Sequence, residues 1–173
     1  VSLQIFTSRN SIVNHENDSQ SKDLLIQFLL QVADIPLHLM TAQQLKTLVE
    51  KLDRSDSLLN LVKKNTLFKP DRVGLKNLLG NEFISILVVA SLPQQRSIIH
   101  RHGQSLEVAL VLQGTLTSQF FKMTEDQELK LDREVEVSAG DIVCTERYEY
   151  HSIINKSSSK VVSLHFHSPG LIE

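Results

Sequence analysis

His100-Arg101-His102-Gly103-Gln104-Ser105-Leu106-Glu107-Val108-Ala109-Leu110-Val111-Leu112-Gln113-Gly114 sets two histidines, a carboxylate and a glycine at fixed offsets along a strand-like stretch. Residues two apart in an extended chain project to the same face. Both imidazoles of His100 and His102 are therefore expected to reach one point inside a barrel. Glu107 follows His102 after four residues, enough for a tight turn, and opens the apolar run that ends at Gly114. A carboxylate entering that strand is placed to face the same point. Further along, Gly140-Asp141 opens a strand that reaches His151, and Asn155 ends it after Ser152, Ile153 and Ile154. Of seven histidines only His15 and His38 lie in the first half, so His100, His102, His151, His165 and His167 concentrate the chemistry in the second.

The texture on either side of this stretch sets the architecture. Phe83 to Ala90 is a continuous apolar and β-branched run, which suits a strand buried on both faces. Turns at Gly114, at Thr124-Glu125-Asp126-Gln127, at Ser138-Ala139-Gly140-Asp141 and at Asn155-Lys156-Ser157-Ser158-Ser159 punctuate short Val-, Ile-, Thr- and Phe-rich runs at antiparallel-barrel spacing. Upstream the period is helical. Leu25, Phe28, Leu29 and Val32 form one stripe that stops before Pro36. Thr41 with Gln44 reads as a capping box ahead of the stripe Leu45, Leu48, Val49 and Leu52. Leu58 to Val62 suits a third, short helix before the turn at Lys69-Pro70-Asp71. The fold class expected is mainly β: an antiparallel β-barrel over about 75–170 with a helical segment over about 21–65. Residues 1–20, polar and without a sustained period, read as a flexible arm.

At 173 residues the chain is long enough for one substantial core, and 21–173 is expected to be a single domain. With 18 basic against 20 acidic residues and a net charge of -2, nothing in the composition attracts nucleic acid or an anionic membrane. No apolar run approaches the roughly twenty residues of a membrane span. No N-terminal series resembles a signal peptide, although a start at Val1 leaves open a removed leader. Cys144 is the only cysteine, so there is no internal disulfide and no thiolate cluster, and a reducing, cytoplasmic setting is expected.

The spacing His-x-His, four residues, Glu, six residues, Gly resembles the first motif of the cupin superfamily, and Gly140, His151 and Asn155 resemble the second. The usual Pro-x-Gly of that second motif is replaced by Glu146-Arg147-Tyr148. The resemblance implies a jelly-roll barrel holding one divalent transition metal on His100, His102 and His151, with Glu107 as fourth ligand. Imidazole and carboxylate donors suit iron, manganese, nickel, copper or zinc alike.

Within the cupins, the chain most resembles the cysteine dioxygenase family in its order of features. These are N-terminal helices, a basic turn, a buried strand, the His-x-His, a Leu112-Gln113-Gly114-Thr115-Leu116 hairpin, the lone His151 and a closing Val162-Ser163-Leu164-His165-Phe166-His167-Ser168-Pro169. This likeness implies Fe(II), O2 and a small carboxylate-bearing substrate. Ser163 and His165 match that family's Ser-His-Tyr relay, and His167 stands where the tyrosine is expected, so these three are the candidate proton-handling residues. Glu107 falls where mammalian members carry a crosslinking cysteine, and neither partner of that crosslink exists here. Lys76, with Arg72 close behind, falls where the substrate carboxylate meets an arginine. Lysine keeps the charge but loses the bidentate fork.

The activity this implies is an Fe(II)-dependent oxygenase of a small acid other than free cysteine. Two alternatives stand beside it. One is a non-oxidative metal-dependent cupin enzyme, such as an isomerase, decarboxylase or hydrolase, with the metal as Lewis acid. The other is a binding or sensor module without turnover. A homodimer through strand edges is a further expectation, with Phe120-Phe121 as the place for the contact.

Overall fold

The computed structural model describes residues 15–171. Three helices come first: α1 (His15–Ala33), α2 (Ala42–Glu50) and α3 (Asp56–Asn65). Eight strands follow: β1 (Gly74–Gly80), β2 (Ser85–Ser91), β3 (Leu106–Gln113), β4 (Thr115–Met123), β5 (Leu129–Ser138), β6 (Ile142–Thr145), β7 (Tyr150–Ile154) and β8 (Val161–Ser168). Helix α1 begins at His15, ahead of the expected start at 21, so 15–20 belong to a helix rather than to an arm. The remainder of the expected arm, 1–14, lies outside the described residues.

The capping box is formed as the sequence suggests. Thr41 Oγ1 accepts from Gln44 N–H at 3.2 Å, and Gln44 Oε1 accepts from Thr41 N–H at 2.9 Å. Two donors that the first helical turn leaves unmet are thereby satisfied.

Every strand pair is antiparallel, in a five-stranded sheet ordered β1-β2-β8-β3-β6 and a three-stranded sheet ordered β5-β4-β7. The larger sheet is covered on both sides. One face carries Ile86, Val88, Val108, Leu110, Leu164 and Phe166 against Leu25, Phe28, Leu45, Val49, Leu58 and Val62 of the helices. The other carries Val89, Ala109 and Val111 against Leu116, Phe120, Val137 and Ile153. This double cover is why the Phe83–Ala90 run lacks polar alternation. Phe166 is fully buried with its ring 5.2 Å from that of Phe28, and burial of such a side chain contributes about 1.5–3 kcal/mol.

Two local expectations are corrected. The Leu112–Leu116 stretch is not a hairpin: β3 and β4 lie in different sheets, and Gly114 is the corner where the chain crosses between them. Its φ of +77° suits glycine, and a Cβ there would stand 2.5 Å from the Lys160 carbonyl oxygen. Likewise Gly140 to Asn155 is two strands, since β6 joins the larger sheet and β7 the smaller. The chain turns between them at Glu146–Glu149, where Glu149 N–H meets the Glu146 carbonyl at 3.2 Å.

Candidate metal centre

The His100-x-His102 segment is not a ladder strand. It runs against β7 through isolated bridges, with His100 and His151 exchanging both backbone hydrogen bonds at 2.9 Å. The bridge sets the two imidazoles side by side, with ring centroids 4.5 Å apart. His102 completes the group, its ring 4.7 Å from that of His100 and 5.1 Å from that of His151. One ligand atom from each of the three lies within 4.8 Å of the others.

The outer contacts choose which nitrogens face inward. His100 Nδ1 donates to the Ile98 carbonyl at 2.9 Å, leaving Nε2 with its lone pair. His151 Nδ1 lies 3.4 Å from Thr145 Oγ1, and its Nε2 is 3.0 Å from His102 Nε2. Two donors at right angles on one ion, each about 2.1 Å from it, stand about 3.0 Å apart, so this pair has the spacing of adjacent ligands.

Glu107 enters from β3, where the register pairs it with Thr145 of β6 and His167 of β8. Its parity places it on the barrel face with Ala109 and Val111. Its Oε2 is 2.8 Å from His102 Nε2, 2.9 Å from His167 Nε2 and 3.7 Å from His151 Nε2. Its Oε1 accepts from His165 Nδ1 at 2.9 Å. Burial pushes the Glu107 carboxyl upward. The charge of His165 and hydrogen bonds from His102, His165 and His167 outweigh that push and hold it well below the usual carboxylate range.

Burial lowers His100, and it lowers His151 to about 3 although Glu107 attracts the charged form. Neutral imidazoles beside an ionised carboxylate are the protonation states that metal ligation requires. The three imidazoles thus fit one divalent transition metal, and Glu107, within 3.7 Å of two of them, is the candidate fourth donor.

Below the centre, Phe120 lies nearly parallel to the His151 ring with centroids 6.3 Å apart, and the Arg133 guanidinium caps its other side at 3.8 Å. Phe120 is therefore core and not a dimer contact, because β4 turns it inward and only Phe121 outward. Where the second motif lacks its Pro-x-Gly, Tyr148 adopts the left-handed φ of +61° that glycine would take, and its N–H donates to the Gly103 carbonyl at 2.8 Å. The turn geometry survives the substitution, at a cost of about 1–2 kcal/mol in backbone strain.

Ser163, His165 and His167 share the barrel face of β8, as their spacing predicts, but they do not form a relay that ends on His167. Ser163 Oγ is 2.9 Å from His165 Nε2, and the other nitrogen of His165 ends on Glu107. The candidate carboxylate-binding residues are not at the centre. Lys76 pairs with Val88, so it projects from the helix-covered face of the sheet, away from His165. Arg72 is exposed and paired with Asp71 at 3.3 Å. Sequence reasoning missed Thr145, the Ile98 carbonyl and Phe120 as supports. Only the offset of Thr145 from His151 carried any signal, and it becomes readable once the β3–β6 register is known.

The cupin-domain family model matches residues 87–167, which span every residue of the centre. The barrel has the cupin jelly-roll fold. Among solved structures, the barrel is similar to the Thermus thermophilus protein TT1209, at 19% identity over 62% of this chain and 93% of that one, TM-score 0.54. It is also similar to a protein with a double-stranded β-helix domain from Klebsiella pneumoniae, at 16% identity over 63% and 87%, TM-score 0.52. A third similar structure is an oxalate oxidase in complex with glycolate, at 19% identity over 60% and 56%, TM-score 0.50. These likenesses show the jelly-roll fold. Among the described residues no helix is long and apolar enough to cross a membrane.

The centre is expected to make the metal-free protein acid-sensitive. In the unfolded chain His151 titrates near 6.5, whereas the folded state keeps it neutral down to about 3. Below about pH 6.5 the unfolded state binds a proton that the folded state refuses. The associated stability, fully present above that pH, falls as pH drops toward 3, by up to about 1.4 kcal/mol per unit from His151 alone. Urea unfolding of metal-free protein at pH 7.5 and pH 5 should show this fall, and His151→Gln should flatten it. Equal stability of the parent at both pH values would contradict the burial assigned to His151.

Proposed function

We propose that the protein is a metal-dependent cupin enzyme that holds one divalent transition metal, Fe(II) in preference, and uses O2 to oxidise a small carboxylate-bearing molecule. The observation that carries this reading is the convergence of three imidazole nitrogens, with the Glu107 carboxylate 2.8 Å from that of His102 and 3.7 Å from that of His151. Fe(II), when bound, supplies redox chemistry toward O2 and open coordination positions for a substrate. The rest is the work of the chain. His100 and His151 present unprotonated nitrogens because burial disfavours their imidazolium forms, and Phe120 keeps water from the back of His151.

The donor set carries a single negative charge, so a divalent ion in it keeps a net positive charge and attracts an anionic substrate. That attraction takes the place of Lys76 and Arg72. Glycolate, the ligand in the oxalate oxidase structure, is itself a small carboxylate and belongs to the substrate class proposed. The closer kinship to cysteine dioxygenase rests on the motif residues and on the Ser163–His165 pair. The partners proposed are the small acid and O2, in a reducing compartment.

The test is oxygen uptake by protein loaded with Fe(II), across a panel of small hydroxy, keto and amino acids. Uptake with Fe(II) and none with Zn(II) is the expected result. Turnover with redox-inert Zn(II) would select the non-oxidative enzyme instead, and absence of turnover with any metal would select the binding module.

A further inference from the structure

We propose that His165 and His167 are positioning residues that act through Glu107. Together they clamp its carboxylate so that Oε2 is presented to the three-histidine centre, and neither is itself a metal ligand. This rests on the metal-site reading above.

The clamp follows from register. Pairing of β3 with β8 sets Glu107 opposite His167 and Ala109 opposite His165, so one carboxylate lies between two imidazoles from alternate positions of the same strand. Each takes a different oxygen: His165 Nδ1 meets Oε1 at 2.9 Å and His167 Nε2 meets Oε2 at 2.9 Å. All three residues are buried, so water does not compete for these bonds.

His102, Glu107 and His167 also form a trio with ligand atoms within 4.8 Å, and the proton positions decide against His167 as a donor to metal. A neutral imidazole that ligates through Nε2 carries its proton on Nδ1. His167 Nδ1 is buried without any hydrogen-bond partner, so a proton there would be an orphaned N–H. With the proton on Nε2, His167 donates to Glu107 and buries only a lone pair. For His165 the ionised Glu107, which can only accept, fixes the proton on Nδ1, and Nε2 on the other side meets the Ser163 hydroxyl at 2.9 Å. The carboxylate then accepts one hydrogen bond from each clamp residue, and the Oε2 lone pair that meets His102 Nε2 at 2.8 Å in the absence of an ion is the one directed at the centre.

A double-mutant cycle on the full chain tests this, read by Co(II) titration followed in visible absorption, with thermal midpoints of the metal-free variants alongside. His167→Phe is expected to weaken Co(II) binding by about 10- to 100-fold, the range found when the support of a ligand is removed. His167→Gln, whose amide can still donate, should recover most of that loss. Combined with Glu107→Gln, His167→Phe should add almost nothing, because its target is gone. The same cycle with His165→Phe must show the same non-additivity, which keeps the test open if one variant fails to fold. Losses that multiply in the double variant would make His167 an independent ligand and overturn the proposal, as would unchanged affinity in His167→Phe. Failure of the unmodified protein to bind Co(II) would instead remove the metal centre itself.

Discussion

A His100→Ala, His151→Ala double variant is expected to lose transition-metal binding entirely, while the parent protein, purified from a metal-replete culture, carries about one equivalent of metal per chain. The two residues face each other across an isolated bridge whose hydrogen bonds are backbone only, so alanine leaves the bridge at 2.9 Å intact and removes only the imidazoles. What remains is His102 and Glu107, 2.8 Å apart and able to hydrogen-bond one another in the absence of an ion. Two donors in that state offer a divalent ion neither the number nor the arrangement that three nitrogens and an oxygen provide. Metal content by plasma mass spectrometry after dialysis is the measurement. Full occupancy in the double variant would mean that the metal sits elsewhere.

The offsets of His100, His102, Glu107 and Gly114 were readable because they are local. A strand and a tight turn fix them whatever the rest of the chain does, and the same is true of the Thr41–Gln44 capping box. Readings that needed the pairing of distant strands fared differently. Whether Lys76 faces the centre depends on its opposition to Val88, and the period of two that identifies a strand does not say which of its faces is inward. The same ambiguity made Phe120 an interface candidate, although β4 turns it under His151. The Leu112–Leu116 corner looked like a hairpin because a glycine between two strands marks a reversal, without saying whether the second strand returns to the same sheet. Ser163, His165 and His167 were found by spacing, but their common target is Glu107, and that needed the β3–β8 register.

Free cysteine should be turned over poorly or not at all by this protein, even with Fe(II) fully loaded. Three features of the centre lead there. His167 stands where the resembling dioxygenases place a tyrosine hydroxyl beside the substrate, and its Nε2 is already committed to Glu107 at 2.9 Å. As the proposed fourth donor, Glu107 would leave about two positions on an octahedral ion where sulfur, amine and O2 together need about three. Neither basic candidate stands ready for the amino acid's carboxylate, since Lys76 projects from the opposite face of the sheet and Arg72 is paired with Asp71 at the surface. Each change alone disturbs orientation, and displacement of a reacting group by about 1 Å can already cost on the order of 100-fold in rate. Together they should lower cysteine turnover by several orders of magnitude relative to a small acid that binds through one or two atoms. Sulfinate formation and oxygen uptake with cysteine, measured beside other thiols and beside hydroxy acids, give the comparison. Cysteine turnover at about 1 per second or faster, an ordinary enzymatic rate, would show that Glu107 leaves the metal during the reaction and that the centre works as a three-histidine thiol dioxygenase.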